Sequence, residues 1–445
     1  MMRFTPDSSR LSGEFFANIL YATSFERGIM TRSSSFACNK KCGGFSMIAD
    51  KMKPLLKNNS AIRTMFEEGK KMAAVYGAEN VFDFSLGNPN VPAPAGVNQA
   101  IIDVVREEDS CFIHGYMSNA GYEDVREAIA DSLNQRFGTK FRLKNIIMTV
   151  GAASGLNVIL KTILNPGDQV VTFAPYFVEY GAYVRNYDGE LLVTEPDTET
   201  FQPNLEAFQE QLGPKVKAVL INSPNNPTGV VYSEETIQKI SQLLQEKSRE
   251  YGHPILLISD EPYRELAYDG VFVPYVTKYY DNTVVCYSYS KSLSLPGERI
   301  GYLVIPDEVE DSEEVIAAAV IANRVIGCVN APSLMQRVIK RCLNEKVNLE
   351  AYDRNRNLLY SSLKEYGFSC IKPEGAFYLF VKTPVEEGKF CQICKDHQVL
   401  VVPGSSFACP GFVRIAYCVS YDQIQRSLPA FKKIAAACGL LGGEA

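Results

Sequence analysis

The middle of the chain alternates between short apolar runs and helix-like polar segments, and this alternation restricts the possible folds. The runs are NIIMTV, QVVTFA, AVLINS, ILLISD and TVVCYS, while a segment such as SEETIQKISQLLQEKSREYG has the spacing of an amphipathic helix. Strands that are apolar on both faces must be covered on both sides. The pattern therefore predicts an α/β fold with a mainly parallel sheet covered by helices on both faces.

The pattern changes after about residue 305, where a long helical region, 311–366, precedes the apolar runs GAFYLFVK, VLVVPG and FVRIAYC. This order is typical of a smaller α+β domain. A chain of 445 residues is also too long for one simple core. We predict that residues 86–325 form a large domain, and that 47–85 and 326–445 together form a small one.

The first 46 residues differ from the rest, being rich in Ser and Arg and poor in acidic residues, as in TRSSSFACNKKCGGFS. Three interpretations remain open: a transit-type leader, a disordered tail, or an upstream start before a natural start near Met47. The apolar stretch EFFANIL is too short and broken for a signal-peptide core. We favour a tail outside the fold.

The bulk composition excludes several classes of protein. Hydrophobic residues make up 46% and charged residues 22%, and a net charge of -6 gives no electrostatic reason to expect nucleic acid or an anionic membrane. No apolar run is long enough to span a bilayer. The twelve cysteines follow no disulfide framework, as in a reduced protein. We therefore expect a soluble, cytoplasmic enzyme.

The supply of metal ligands is poor. The one CxxC pair, Cys391 and Cys394, lies in the helix-like KFCQICKDH, and no second pair or nearby histidine pair completes a zinc site. The chain has only three histidines, His114, His253 and His397. We therefore predict that these thiols pack in the interior, and that the protein has no metal centre.

Ligands of parallel α/β sheets bind beyond the carboxyl ends of the strands, so the residues after each apolar run are the candidate ligand-binding residues. After NIIMTV, the small residues 151–154 (GAAS) open a helix, whose N–H groups and positive end would suit a phosphate. After QVVTF, the segment APYFVEY offers Tyr176, Phe177 and Tyr180. Both features could also be simple packing.

The ends of the next strands carry polar side chains. AVLIN is followed by the turn SPNNPTG, and Asp260 ends ILLISD, where a buried, unpaired carboxylate would need a cationic partner. TVVCY is followed by SYSKSLSLPGERIGY, which crowds serines around Lys291. A planar, phosphorylated, cationic heterocycle would use all of these groups. Pyridoxal phosphate fits, because its aldehyde forms a Schiff base with lysine and its pyridinium nitrogen pairs with aspartate. Ser288 and Arg299 could then bind its phosphate.

Four motifs occur in a fixed order: NSPNNPTG, SDEPY, SYSKSLSLPGERIGY and FVRIAYC. On these motifs the chain resembles the class I/II aminotransferases, the aspartate-aminotransferase-like group of fold-type I pyridoxal-phosphate enzymes, from about residue 50 to the C-terminus. The resemblance implies an enzyme that moves an amino group between an L-amino acid, such as aspartate, and a 2-oxo acid.

The resemblance also assigns roles to single residues. Lys291 is implied as the Schiff-base lysine and general base, Asp260 as the partner of the pyridinium nitrogen, and Tyr263 and Asn226 as hydrogen-bond partners of the cofactor's 3-hydroxyl oxygen. Phe177 would stack on the ring. The implied phosphate contacts are Ala152, Ala153, Ser288 and Arg299.

On the substrate side, the resemblance implies that Arg414 and Gly87 contact the α-carboxylate, and that Asn226 is also a substrate-binding residue. The alternative for Arg414 is a structural ion pair with an acidic side chain. Tyr116, in HGYMSNAGYEDVREA, is implied to reach the phosphate of the neighbouring subunit's cofactor. This role implies a homodimer with shared active sites.

The sequence departs from the family at three places: Ala153 in GAASG lacks a side-chain donor, the loop is GNPNV, and the platform is Phe177. These changes leave aspartate, aromatic and small aliphatic donors open. One alternative function is a C–S β-lyase on the same fold, which would release pyruvate and a thiol without an oxo-acid acceptor. Another is a non-enzymatic pyridoxal-phosphate-binding regulator. It would need a DNA-binding module, which residues 1–46 are too short to supply.

Overall fold

The structure is a computed structural model that describes residues 47–57 and 61–441. The predicted leader or tail, residues 1–46, lies outside the described residues. The α-helices are α1 (Lys53–Lys57), α2 (Ala61–Tyr76), α3 (Ala95–Glu107), α4 (Ser110–Ile113), α5 (Glu123–Phe137), α6 (Ala152–Ile163), α7 (Tyr180–Asn186), α8 (Leu205–Gln211), α9 (Glu234–Tyr251), α10 (Tyr289–Ser292), α11 (Ser312–Val325), α12 (Ser333–Arg341), α13 (Leu349–Glu365), α14 (Glu387–Asp396) and α15 (Tyr421–Ala437).

The strands form three sheets. They are β1 (Phe82–Asp83), β2 (Ile146–Thr149), β3 (Gln169–Phe173), β4 (Glu190–Thr194), β5 (Val216–Asn222), β6 (Leu256–Asp260), β7 (Thr283–Ser288), β8 (Gly301–Val304), β9 (Ser369–Cys370), β10 (Tyr378–Lys382), β11 (Val399–Leu400), β12 (Val402–Pro403) and β13 (Phe412–Ala416). A seven-stranded sheet has the order β2-β8-β7-β6-β5-β3-β4, and a four-stranded sheet has the order β12-β13-β10-β9. β1 pairs with β11.

The seven-stranded sheet confirms the predicted fold class. β8 runs antiparallel to both of its neighbours, β2 and β7, whereas the pairs among β7, β6, β5, β3 and β4 are parallel. The five apolar runs of the sequence form β2, β3, β5, β6 and β7. β4 and β8 were not among the predicted strands, and both complete the sheet.

Helices cover both faces of this sheet because the strand side chains alternate between two cores. Ala218 and Leu220 of β5 pack in a cluster with α6 and α11, while Val219 and Ile221 pack in a second cluster with α8 and α9. The period of two in a strand points successive side chains to opposite faces. A third cluster, with α3, α5 and α12, covers β2, β7 and β8.

Local signals set the ends of the covering helices. At α9, the Ser233 side chain accepts a hydrogen bond from the Thr236 N–H, and Gly252 ends the helix at φ 68°. Capping by serine and a left-handed glycine are common start and stop signals. The segment SEETIQKISQLLQEKSREYG therefore forms a helix between the two ends that its sequence marks.

The four-stranded sheet is antiparallel and lies in the C-terminal part of the chain. One apolar cluster joins it to β1, β11, α13, α14 and α15. The two larger sheets thus fall in sequence ranges that the prediction assigns to different domains, and the exact boundaries stay a prediction.

The predicted helix around the CxxC pair is α14, which contains both Cys391 and Cys394. The cysteines in the described ranges carry free thiols, and those ranges hold no group of His, Cys, Asp and Glu side chains able to bind a metal ion. No helix within residues 47–57 and 61–441 has both the length and the apolar character needed to cross a membrane.

Candidate active site

A cavity of about 290 Å³ lies at the carboxyl ends of the parallel strands. Its lining brings together all but one of the predicted site residues: Gly87, Ala152, Ala153, Phe177, Asn226, Asp260, Tyr263, Ser288, Lys291, Arg299 and Arg414. The exception is Tyr116, which is 93% exposed and lines another cavity together with Val329. One chain therefore does not place Tyr116 at its own site.

The topology of the sheet explains why distant segments meet there. Asp260 is the last residue of β6, and Ser288 is the last residue of β7. These ends lie at one edge because the strands are parallel. β8 runs the other way, so its first residue, and Arg299 just before it, lie at the same edge. The antiparallel strand thus carries an arginine into a site built by parallel strands.

Lys291 is held in the cavity as a mostly buried amine. It lies in the short helix α10, and its Nζ donates a hydrogen bond of 2.8 Å to the Gly87 carbonyl oxygen. Burial lowers the pKa of Lys291 to about 8, with the Cys418 thiol opposing the shift and the cations Arg299 and Arg414 adding to it. A lysine with this pKa has a substantial neutral fraction near pH 8, as a nucleophile or general base requires.

Asp260 has no cationic partner among the described side chains. Tyr180 donates a hydrogen bond of 2.5 Å to Oδ2, whereas Oδ1 is buried without a partner in the described structure. Burial raises the pKa of Asp260 to about 7, against the hydrogen bond from Tyr180, and the Glu261 carboxylate contributes to the rise. The nearby Arg264 pairs with Glu261 instead.

The cation that the sequence leads us to expect beside Asp260 is therefore not a side chain of the described residues. None of the described ion pairs includes Asp260, so the described chain does not provide its cation. A buried carboxylate with a free oxygen facing a cavity is costly unless a ligand satisfies it. A ligand that donates a hydrogen bond would satisfy this oxygen.

The opposite end of the cavity is built to hold an anion. Helix α6 begins at Ala152, directly after Gly151 at φ 90°. The positive φ favours glycine at this position, and a Cβ at Gly151 would lie 2.9 Å from Nη2 of Arg299, so the guanidinium lies close against this turn. Arg299 is oriented by hydrogen bonds from Nη1 to the Pro296 oxygen (3.0 Å) and from Nη2 to the Val150 oxygen (3.1 Å).

Hydroxyl groups complete this anion-binding end. Ser288 caps α10, and its Oγ lies 2.8 Å from Oγ of Ser290, to which it donates. Both serines line the cavity. Free helix N–H groups, a guanidinium and hydroxyls together form a suitable environment for a phosphate group.

Arg414 is a buried cation at the centre of β13, with 1% of its surface exposed. Its Nη1 donates to Oδ1 of Asn226 (3.0 Å) and its Nη2 donates to the Ser85 carbonyl oxygen (2.6 Å), while Nε is buried without a partner. None of the described carboxylates pairs with Arg414. The alternative interpretation of Arg414 as half of a structural ion pair is therefore not supported, because no acidic partner lies among the described residues.

Aromatic rings line the remaining walls. Phe177 borders the cavity. The Tyr180 ring contacts the Phe177 ring edge-on, with the two ring centroids 5.6 Å apart. The hydroxyls of Tyr263 and Tyr378 lie 2.9 Å apart. The Tyr378 ring also lies 4.5 Å from the guanidinium carbon of Arg414.

Sequence reasoning missed Tyr378 and gave no role to Tyr180. Tyr180 follows Phe177 by three residues, a spacing that could have suggested a shared face. Tyr378 has no such local signal. Phe380 of β10 pairs with Arg414 of β13, so Tyr378, two residues before Phe380, lies on the same face as Arg414. Only the register of the two strands reveals this contact.

The lysine, the unpaired carboxylate and the two arginines thus meet in one cavity at the strand ends of an α/β sheet. Residues 79–431 match the family described as aminotransferase class I and II, and the chain belongs to this family. Members of this class use pyridoxal phosphate. The comparison confirms the predicted family and the predicted aminotransferase activity.

Three similar proteins illustrate the match. An amino transferase from Eubacterium rectale has 49% sequence identity and a TM-score of 0.86, over 88% of this chain and 99% of that chain. The aspartate aminotransferase from Thermus thermophilus with maleate has 26% identity and a TM-score of 0.78, over 88% of this chain and 100% of that chain. An aspartate aminotransferase from Thermotoga maritima is 31% identical over 372 residues, which cover 82% of this chain and 94% of the relative.

Proposed function

We propose that the chain binds pyridoxal 5′-phosphate in this cavity and transfers an amino group between an L-amino acid, aspartate or a similar donor, and a 2-oxo acid. The observation that carries the proposal is the free Oδ1 of Asp260, buried in the same cavity as the amine of Lys291. A cofactor with a cationic ring nitrogen and an aldehyde matches both groups at once.

The residues present fit this cofactor along its whole length. Arg299, Ser288 and the start of α6 at Ala152 and Ala153 would hold the phosphate. Asp260 would accept the ring N–H, and a cation there would return its carboxylate to the ionised state. A further set would contact the ring and its hydroxyl oxygen: Phe177, Asn226 and Tyr263. When bound, the cofactor supplies an aldehyde that bonds to amines and a ring that accepts electron density.

Lys291 is the residue that would move the proton in this site. Its Nζ would bind the cofactor and, once the substrate amine replaces it, would take the proton from the substrate Cα. Because burial lowers the pKa of Lys291 to about 8, its neutral form is available near physiological pH. Asp260 would accept a hydrogen bond from the protonated ring nitrogen, and Tyr263 would donate one to the 3-hydroxyl oxygen.

The substrate carboxylate would bind at Arg414. The guanidinium is buried, and its Nε has no partner in the described structure. A buried cation of this kind recognises a carboxylate strongly, since desolvation strengthens the charged hydrogen bonds. Gly87 lies at the same wall, where a Cβ would come within 2.1 Å of the Tyr378 hydroxyl, so a side chain here would collide with that hydroxyl.

The choice of aspartate as donor rests on the relatives, several of which are named aspartate or aspartate/prephenate aminotransferases. A panel of amino donors and 2-oxo acid acceptors would test it, with the visible absorbance of the bound cofactor followed in each half-reaction. We expect dependence on an acceptor. Release of pyruvate and a thiol from a cysteine conjugate, without an acceptor, would favour the β-lyase alternative.

Arg414→Lys should weaken the binding of amino acid and oxo acid together, by about 10-fold or more, because lysine keeps the charge but loses the two-pronged guanidinium. The spectrum of the resting, cofactor-bound enzyme should change little. The deciding measurement is the ratio of activity on an amino acid to activity on the amine without its carboxylate. An unaltered ratio in this variant would show that another residue recognises the carboxylate.

We also propose a homodimer with shared sites, in which Tyr116 serves the partner's cofactor. This proposal is supported by the exposed position of Tyr116, away from its own cavity. Chains carrying Tyr116→Ala and chains carrying Lys291→Ala should complement each other when mixed, because a mixed dimer keeps one intact site. Random pairing would restore about one site in four. A fully active monomer at high dilution would contradict the proposal.

Two further sequence predictions stay proposals. The division into a large domain, 86–325, and a small domain, 47–85 with 326–445, is supported by the positions of the two larger sheets. A cytoplasmic location is supported by cysteines that follow no disulfide framework.

A further inference from the structure

Tyr378 contacts three parts of the candidate site. Its hydroxyl lies 2.9 Å from the hydroxyl of Tyr263, which would contact the cofactor. Its ring lies 4.5 Å from the guanidinium carbon of Arg414, which would contact the substrate carboxylate. The same hydroxyl fills the space next to Gly87, as the 2.1 Å distance to a Cβ built there shows.

In the hydrogen bond between the two buried hydroxyls, only one of them can be the donor. Either oxygen could be the donor from geometry alone. Arg414 favours Tyr378 as the donor, because its guanidinium carbon lies 4.5 Å from the Tyr378 ring and a positive charge in contact makes a hydroxyl a better donor. Burial raises the pKa of both tyrosines, and Arg414 opposes the rise at both. The contact of Arg414 with the Tyr378 ring therefore assigns Tyr378 as the donor and Tyr263 as the acceptor.

This direction has a consequence for Tyr263. A tyrosine hydroxyl has one proton and accepts through its oxygen. If Tyr263 accepts from Tyr378, its own proton is free for another acceptor in the cavity. Hydrogen bonds in a chain also strengthen one another when their directions agree. The order Tyr378 to Tyr263 to cofactor oxygen would therefore make Tyr263 a stronger donor.

We propose that Tyr378 is a positioning residue that couples the two halves of the site: its hydroxyl orients the Tyr263 proton toward the cofactor's 3-hydroxyl oxygen, and its ring supports the Arg414 guanidinium that receives the substrate carboxylate. The inference rests on the proposed function, since it uses the roles proposed there for Tyr263 and Arg414. It adds a residue that connects these roles.

The hydroxyl part is tested with Tyr378→Phe, which keeps the ring. The readout is the pH at which the visible absorbance of the bound cofactor changes in the resting enzyme. A donor bond to the 3-hydroxyl oxygen stabilises the form that has lost its proton, so removing that bond raises the midpoint. Tyr263→Phe should raise the midpoint most. Tyr378→Phe should raise it in the same direction, by about 0.5 pH unit, as expected for weakening rather than losing one hydrogen bond.

The ring part is tested by comparing Tyr378→Phe with Tyr378→Leu. Phenylalanine keeps the ring beside Arg414, so KM for the amino donor should change less than about twofold. Leucine removes the ring, and KM should rise about 5- to 20-fold because a buried cation–π contact is lost. kcat should fall less than kcat/KM in the leucine variant.

Tyr268→Phe is a matched control for loss of a buried tyrosine hydroxyl. Tyr268 belongs to the same apolar cluster, its hydroxyl donates to the Ala376 oxygen at 2.6 Å, and an arginine, Arg356, lies 4.3 Å from its ring. Tyr268 is not among the residues that line the cavity. Its variant should leave both the absorbance midpoint and KM in place.

The outcomes separate this inference from the proposed function. A midpoint shift in Tyr263→Phe and in Tyr378→Phe, with KM raised only in Tyr378→Leu, supports the coupling. A shift in Tyr263→Phe without one in Tyr378→Phe overturns the role of Tyr378 and leaves the proposed function standing. No shift in Tyr263→Phe overturns both the inference and the proposed role of Tyr263. Equal shifts in Tyr268→Phe and Tyr378→Phe would show a general effect of packing and overturn the inference.

Discussion

Replacing Lys291 with alanine should abolish amino transfer, with kcat lowered by about 10⁴-fold or more, because the variant loses both the covalent attachment of the cofactor and the base that moves the Cα proton. The position has no substitute nearby. The other cations that line the cavity are Arg299 and Arg414, and arginine does not lose its proton in the accessible pH range.

The cofactor should still bind to this variant without a covalent bond. Arg299, the serines and the start of α6 remain in place and would hold the phosphate. Treatment with borohydride, followed by peptide mass mapping, should label the wild-type chain at Lys291 and leave the variant unlabelled. The exposed Lys239, paired with Glu235 on α9, offers a control, since Lys239→Ala should keep both the label and the activity. A trapped cofactor in the Lys291→Ala chain would contradict the assignment.

Asp260→Asn should slow proton abstraction by about 10²-fold or more while leaving the fold intact, because the neutral amide no longer stabilises a positive charge at the ring nitrogen. The negative charge of the Asp260 carboxylate, rather than its shape, is expected to determine the rate of this step. Single-turnover measurements with a saturating amino donor isolate this step from product release. Asp260→Glu keeps the charge on a longer side chain and should recover part of the rate.

The stability of the cofactor-free protein provides an independent check of the same residue. Burial raises the pKa of Asp260 to about 7, above its ordinary value near 4. A carboxyl group whose pKa is raised in the folded state costs stability as the pH rises from about 4 to about 7, since the unfolded chain loses its proton first. Asp260→Asn removes this cost. The variant without cofactor should therefore be at least as stable as the wild type above pH 7 in denaturant titrations. In the rate experiment, near-normal single-turnover rates of Asp260→Asn would contradict the proposed role of Asp260 at the ring nitrogen.

The sequence by itself determined the fold class and most of the site. The five apolar runs form five of the seven strands of the central sheet, because runs that are apolar on both faces can be satisfied only between two layers of helices. The polar residues that follow these runs line one cavity, since the carboxyl ends of parallel strands meet at one edge. Local patterns were sufficient for these conclusions.

The tertiary structure decided the contacts that depend on strand register and direction. Arg299 reaches the site because β8 runs antiparallel to its neighbours, and β8 was not predicted as a strand. Tyr378 lies beside Arg414 through the pairing of β10 with β13. The sequence could show that Asp260 needs a cation, but only the structure shows that the described chain leaves its Oδ1 free. The pairing of strands and the hydrogen-bond partners of buried polar groups depend on residues that are distant in sequence. A local sequence pattern therefore cannot predict them.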